Sequence, residues 1–433
     1  MKIGFLLLRD TYLKTMGSLM EASLNRDHQV MILYTEAPIR GNKAYQRITT
    51  EKLAPISPKG VEAVPFLLKD LGKVKEKFQL DALVTLEGYY MMNSYLAEIQ
   101  VARKKGVKVV SLAHFFENIM RLPESLDYFD KTYYLSQFAV DAHFMLYGDG
   151  SAERTRKGCR GQQEAIGSPM FDQLIDVDQE EARAEFGIPA DKRVVLFFAP
   201  AINADTRWRF RMWGNESKIK RIRRAVMEGN WRELPDAFLV PTLEEIVDEL
   251  KEFCERNNAL LVIKSRAKQQ DAAYFKDKAD LYLSGEEDSY YPVFTSYKLL
   301  AIADVCIGVM SMSVAEAVAM RVPVWNIYVP SSELNYPINP LYPRQRQYLQ
   351  MIMGREQMGP FNYPGVITNI EPRNVLKWLR ENKLEEAIID PKAAAKYVEK
   401  YLGITNEPSS ERILDSLEQM HASAIGRKPP IER

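Results

Sequence analysis

The sequence predicts an α/β protein made of two doubly wound parallel sheets, with helices added at the carboxyl end. Three observations predict it. Short uninterrupted apolar runs alternate with amphipathic stretches of helical length, the pattern of parallel strands covered on both faces. That rhythm pauses in a polar join at residues 188–193 and then starts again. The chain's 433 residues are about three times the usual domain length.

The elements follow in order. Residues 3–8 form the first apolar run, ending in the polar turn Arg9, Asp10, Thr11. Residues 13–24 carry Met16, Leu19, Met20 and Leu24 at helical spacing. Residues 30–34 read as a strand, 61–78 as a helix, and 82–86 as a strand running into Glu87 and Gly88. Residues 92–105 read as a helix and 107–112 as a strand ending in Ala113 and His114. Residues 133–135 and 164–166 read as added edge strands.

After the join, 194–198 is a strand ending at Ala199 and Pro200. Residues 241–257 read as a helix, with Thr242 and Glu245 at capping-box spacing. Residues 260–263 form a strand ending at Lys264. A short helix over 297–303 leads to a strand over 305–309, then Met310, Ser311, Met312 and Ser313. A helix over 314–320 and a strand over 322–328 complete this half. Residues 372–381, 391–402 and 409–421 read as helices. The expected domains are 1–185, 186–385, and a helical tail, 386–433, packing back on the first.

Composition excludes several classes. Lys plus Arg is 58 and Asp plus Glu is 58, so bulk charge does not favour nucleic acid. Cys159, Cys254 and Cys306 lack CxxC spacing, and His28, His114, His143 and His421 lack HExxH or HxH spacing, so no metal site is expected. No run of apolar residues is long enough to span a membrane. A cytoplasmic protein, at or near the inner face of the membrane, is expected.

Ligands of open α/β sheets bind outside the carboxyl ends of the strands. Asp10, Glu87 and His114 end three strands of the first sheet, so they are the candidate proton acceptors, with Glu87 first and His114 second. In the second half, Lys264 and Arg266 follow one strand and can offer charge to phosphate. Ser311 and Ser313 sit where a strand gives way to a helix, where backbone N–H groups and hydroxyls hold anions. The plainer readings are a helix cap for Ser311 or Ser313, a surface acid for Glu316, and a solvated loop lysine for Lys264. Residues 218–226 place Ile219, Ile222 and Val226 on one helical face among five cations. That is either a surface for anionic lipid or an ordinary helix with its apolar stripe packed inward. Arg207 to Trp213 adds aromatics beside it. Tyr290, Tyr291 and the tyrosines of 336–342 lie in proline-rich stretches suited either to stacking or to packing.

Three segments carry a resemblance. Gly167-Ser168-Pro169-Met170-Phe171-Asp172-Gln173-Leu174 resembles the "G-x-P-x-x-D-x-L" junction between the halves of GT-B-fold glycosyltransferases. Residues 194–200 resemble the first strand of their second domain. Residues 303–317, from Ala303-Asp304 through Ser311, Ser313 and Glu316-Ala317, with Val322-Pro323-Val324, resemble their donor-site block. The similarity spans residues 165–330, and within the superfamily it is nearest to bacterial surface-polymer enzymes. These include CDP-glycerol glycerophosphotransferases, CMP-sugar transferases and UDP-GlcNAc 2-epimerases. The resemblance implies two Rossmann-like domains facing a cleft, with a closing helix that crosses back onto the first domain. It implies a UDP- or CMP/CDP-linked donor, with no further cofactor, held through Pro200, Lys264, Ser311, Ser313 and Glu316. The Glu316 carboxylate would accept from the donor ribose. The acid-Gly pair Glu87-Gly88 is similar to the base position of several members. The family's "K-P-H-P"-like segment is altered here: Lys264 is kept, but Ser265-Arg266-Ala267-Lys268 follows and the His-Pro is absent. The implied activity is transfer of a sugar or glycerol-phosphate-like group from a nucleotide donor to a cell-surface glycan or lipid-linked acceptor. The alternatives are a UDP-sugar 2-epimerase and a GT-B-shaped binding protein without catalysis.

Overall fold

The computed structural model describes residues 1–35, 48–86, 95–113, 128–147, 162–200, 218–227, 229, 231, 234–265, 273–285, 288–328, 347–348, 351–352 and 358–424. Within them the first half forms one sheet: β1 (Lys2–Leu7), β2 (Gln29–Tyr34), β3 (Glu62–Pro65), β4 (Ala82–Leu86), β5 (Lys108–Leu112), β6 (Lys131–Tyr134) and β7 (Gln162–Ala165). Its order is β3-β2-β1-β4-β5-β6-β7, parallel throughout. The second half forms another: β8 (Arg193–Phe198), β9 (Ala259–Lys264), β10 (Leu281–Leu283), β11 (Val305–Gly308), β12 (Val324–Ile327) and β13 (Ile367–Ile370). Its order is β10-β9-β8-β11-β12-β13, also parallel. In both sheets winding starts at a central strand and reverses, between β1 and β4 and between β8 and β11. A crevice opens at the carboxyl edge of such a reversal.

The central strands are apolar without alternation because both faces are covered: β4 and β11 are buried along their whole length. The helix Leu243–Arg256 begins with a complete capping box, Thr242 Oγ1 accepting from Glu245 N and Glu245 Oε2 from Thr242 N. Two local expectations are corrected. Residues 61–78 are not one helix. Glu62–Pro65 pairs with β2 as an edge strand, and only Val74–Phe78 is α-helical, after a 3-10 turn at Leu68–Lys73. Pro65 and Gly72 interrupt a helix there, and an edge strand tolerates the proline. Lys131–Tyr134 is not an edge strand either, since β7 pairs along its outer side.

The two halves meet along a face of the first helix, Leu13–Asn25. Lys14, Gly17 and Glu21 share that face by helical spacing. Lys14 reaches Glu316 of the second half, and Tyr291 OH donates to Glu21 Oε2 at 2.7 Å. Between them Tyr291 packs against Gly17, where a Cβ would stand 2.3 Å from its ring.

The junction segment ties three parts together. Gln173, fully buried, donates to the carbonyls of Lys14 (3.1 Å) and Tyr290 (3.3 Å) and accepts from Phe294 N at 2.9 Å. Gly167 has φ +90°, and a Cβ there would collide with Ser409 Oγ at 2.3 Å. Asp172 accepts the backbone N–H groups of Ser409 and Ser410, each at 2.8 Å, at the start of the last helix, Ser409–Ala424. That helix lies against the first domain. Arg26 pairs with Glu411, Asp415 and Glu418, and Lys131 Nζ donates to Ser416 Oγ at 2.7 Å.

Asp172→Ala removes the acceptor for two N–H groups at a helix start. It should cost about 1–3 kcal/mol, with Asp172→Asn costing less because its amide oxygen keeps one bond. Urea denaturation checks this. An Asp172→Ala midpoint equal to that of the unaltered chain would show that the remote cap contributes nothing.

Candidate functional site

Both carboxyl edges bring charged groups to the seam. After β1, a 3-10 turn over Asp10–Tyr12 opens the first helix. Asp10 Oδ1 accepts from Thr11 N at 2.7 Å. Burial pushes its carboxyl above the usual aspartate range, against the opposing pull of that N–H and of Lys52 and Arg9.

One turn on, Lys14 Nζ lies 2.6 Å from Glu316 Oε1, and both side chains are nearly dry. The ammonium also sits 4.1 Å from the Phe294 ring centre and 5.1 Å from that of Tyr297. A cation so placed is held by the carboxylate and by two ring faces. Glu316 projects from the buried helix Met312–Ala319, so it is not the surface acid of the plainer reading. Tyr297, fully buried beside Glu316, is held far above the usual phenol range by burial and then by that carboxylate.

Ser311 occupies the N-cap position of the same helix but makes no side-chain cap; its hydroxyl and that of Ser313 hydrogen-bond each other instead. The turn before them is strained, with Met310 at φ +41°. Asn326, buried in β12, fixes it: its Oδ1 accepts from Met310 N at 2.9 Å while its Nδ2 donates to Asn369 Oδ1 and the Phe361 carbonyl.

Lys264, last residue of β9, is buried, which overturns the solvated-loop reading. Its ammonium lies 2.9 Å from Asp288 Oδ1 and donates to the Ser265 carbonyl at 2.7 Å. Burial raises the Asp288 carboxyl despite Lys264, and Lys14 and Asp10 both act on it through space. Asp10, Lys14, Lys264, Asp288 and Glu316 therefore belong to one electrostatic neighbourhood drawn from both halves. Pro200 is buried just after β8, at the same edge. Tyr290 and Phe294 stack at 5.5 Å beneath the seam, so Tyr290 serves packing.

Glu87, His114 and Arg266 lie outside the described residues, as do Arg207 to Trp213 and the tyrosines of 336–342. Among the described residues no cluster of three or more His, Cys, Asp or Glu is placed for a metal ion, and no helix is long and apolar enough to cross a membrane. Sequence reasoning missed Lys14, Gln173, Asp288 and Asn326. Only Asn326 left a signal, a polar residue inside the apolar run Val324–Ile327.

Removing one member of a buried ion pair strands the other charge, so Lys14→Met or Glu316→Gln alone should cost about 3–5 kcal/mol. The double change Lys14→Met with Glu316→Leu should cost clearly less than the sum. A urea-denaturation double-mutant cycle measures this, and strict additivity would show that the two charges do not stabilise each other.

No protein-family model matches this chain, and no curated protein does. Solved structures match it over 96–100% of its length. The UDP-GlcNAc 2-epimerase from Methanocaldococcus jannaschii aligns with TM-score 0.54 and 14% identity, covering 96% of this chain and 99% of that one. A putative UDP-N-acetylglucosamine 2-epimerase from Listeria monocytogenes aligns with TM-score 0.56 and 11% identity, covering 100% and 99%. The wall teichoic acid polymerase TagF aligns with TM-score 0.54 and 13% identity, covering 98% and 90%. At such identities the likeness speaks for the fold: two parallel-sheet Rossmann-like halves in the GT-B arrangement are the architecture of this chain.

Proposed function

We propose that the chain is a glycosyltransferase. It moves a sugar or glycerol-phosphate-like group from a UDP- or CMP/CDP-linked donor to a cell-surface glycan or lipid-linked acceptor. The observation that carries this reading is the pairing of Lys14 with Glu316 beside Ser311 and Ser313 at the seam. A nucleotide donor presents hydroxyls on its ribose and anionic oxygens on its phosphates. Glu316 suits the hydroxyls. The Ser311 and Ser313 hydroxyls, the N–H groups at the start of the helix Met312–Ala319, and the Lys14 ammonium suit the phosphates. Donor entry would exchange the Lys14–Glu316 bond for these two contacts. Pro200 lines the same edge; Lys264 is paired there with Asp288 and would offer charge to a phosphate only by exchanging that bond, while Arg266 is a further cation the sequence supplies.

In the transfer the acceptor oxygen bonds to the donor's reacting atom, the bond from that atom to the phosphate oxygen breaks, and the electron pair leaves on the phosphate. Lys14 and the serine-bearing helix start would neutralise that developing charge. The acceptor proton goes to a carboxylate or imidazole of the first half. Glu87 and His114 are candidates from the sequence, and Asp10 is the candidate with described geometry. Burial raises its carboxyl above the usual aspartate range, which makes it a stronger proton acceptor than an exposed aspartate.

A UDP-sugar 2-epimerase is the second reading. What favours it is the pair of buried, pKa-raised carboxylates, Asp10 and Asp288, from opposite halves of the seam. Such chemistry needs proton donors and acceptors on both sides of a sugar. Product identity separates the two: transfer to an acceptor, or an epimer at C2.

Two measurements test the reading. UDP, CMP, CDP, GDP and ADP are screened by thermal shift without added metal. One nucleotide should raise Tm, with about 2.7 kcal/mol of stabilisation at 100-fold excess over Kd, and Ser313→Ala or Glu316→Ala should abolish the shift. No shift with any nucleotide at millimolar concentration sinks the donor site. With a donor found, the pH profile follows. A base must be deprotonated, so kcat/KM should fall as pH drops through the raised pKa of Asp10, and Asp10→Asn should remove that limb along with most of the rate. An unchanged profile in Asp10→Asn moves the base to Glu87 or His114.

A further inference from the structure

The second half carries apolar side chains that stand exposed among the described residues. Six of the ten large apolar side chains that stand exposed among the described residues lie in one stretch: Ile219, Val226, Met227, Trp231, Phe238 and Leu239. Ile219 is 78% exposed, Met227 74% and Trp231 64%. The inward packing of Ile219 and Val226 allowed by the sequence is therefore not what the helix Lys218–Met227 does. The short helix Leu234–Leu239 packs against that helix, so Phe238 and Leu239 join the same region as Ile219 and Met227.

The charge around this surface is one-sided. The helix Lys218–Met227 contains Lys218, Lys220, Arg221, Arg223 and Arg224 and no acid. Across 218–239, six Lys and Arg stand against Glu228, Glu233 and Asp236, in a chain whose total charge is zero. A bundle helix would bury its apolar stripe, and a solvated helix would carry no Trp, Met and Ile outward. An exposed apolar face rimmed by cations matches the boundary of an anionic bilayer, where apolar side chains enter the acyl region and cations stay among the head groups.

The anchor point adds a direction. Lys218 Nζ donates to Glu245 Oε1 at 2.7 Å, at the capped start of the helix Leu243–Arg256. That helix follows β8 and leads into β9, so its start lies at the carboxyl edge of the second sheet, the edge that carries Lys264 and Ser311.

We propose that residues 218–239 form a docking surface for anionic lipid that holds the cleft edge of the second domain toward the membrane. It deepens the reading of a lipid-linked acceptor, yet stands on its own observations. The test uses the full chain and sedimentation with vesicles of phosphatidylcholine alone or mixed with phosphatidylglycerol. Binding should appear only with phosphatidylglycerol and weaken as salt rises. Lys220→Gln and Arg223→Gln should each lower the vesicle partition about fivefold. A combined Ile219→Ser, Met227→Ser, Trp231→Ser variant should lose binding while its Tm stays near that of the unaltered chain. Equal binding to both vesicle types, no binding to either, or binding indifferent to these variants overturns the proposal. So does a dimer in solution that the triple serine variant dissolves, for then a second copy covers the face. Nucleotide thermal shifts on the same variants keep the two proposals apart: they should be unchanged, and a chain that binds no nucleotide can still bind vesicles.

Discussion

The Lys14–Glu316 pair is the constraint around which the two halves are arranged. Each charge comes from a different domain, and each is nearly dry. A lone buried charge is costly, so neither half can keep its residue in that place without the other. The neighbouring contacts repeat the dependence. Gly17 is small because Tyr291 lies on it, and Glu21 is engaged because Tyr291 donates to it. The Phe294 and Tyr297 rings face the Lys14 ammonium from the second half. One face of a single helix thus specifies the relative position of two sheets.

The pair needs a frame, and the junction supplies it. Gln173 spends its amide on Lys14, Tyr290 and Phe294, which belong to both sides of the seam. One residue earlier, Asp172 caps the last helix, and that helix returns to Arg26 at the far end of the helix that carries Lys14. Gly403 closes the loop: at φ +61°, a Cβ there would stand 1.9 Å from the Leu135 carbonyl, so the chain passes where only glycine fits. The junction reads in sequence as a run of Gly, Pro, Asp and Leu. In the structure its polar members are connectors that link the first helix, the last helix and the Tyr290 loop.

What the sequence reveals and hides follows from range. Buried parallel strands announce themselves because both faces are apolar, so β1, β4, β8 and β11 are visible as runs. The capping box at Thr242 is visible because its partners are three residues apart. Strand β3 is short, half-exposed and contains Pro65, so it carries no apolar run. The site is split in the same way. Ser311, Ser313 and Glu316 are neighbours in sequence and stand out as a block. Lys14 meets Glu316 across 302 positions, and Asp288 meets Lys264 through a loop with no motif of its own. An ion pair between distant segments leaves no local pattern, since Lys14 by itself looks like any lysine in an amphipathic helix.

The chain's zero net charge conceals two opposite uses of charge. At the seam, Lys14 with Glu316 and Lys264 with Asp288 cancel in pairs, out of water. At 218–224 five cations crowd one helix beside exposed apolar side chains, and Lys218 is tethered to Glu245. Buried pairs respond little to salt, whereas surface cations respond strongly. Ionic strength should therefore separate the two, leaving the domain seam intact while weakening attraction to an anionic surface. That separation matters for a site at a carboxyl edge: under the two proposals, a chain held at a membrane by 218–239 would meet lipid-borne molecules by diffusion in a plane, while the seam groups proposed to face a nucleotide are joined by buried pairs that salt does not loosen.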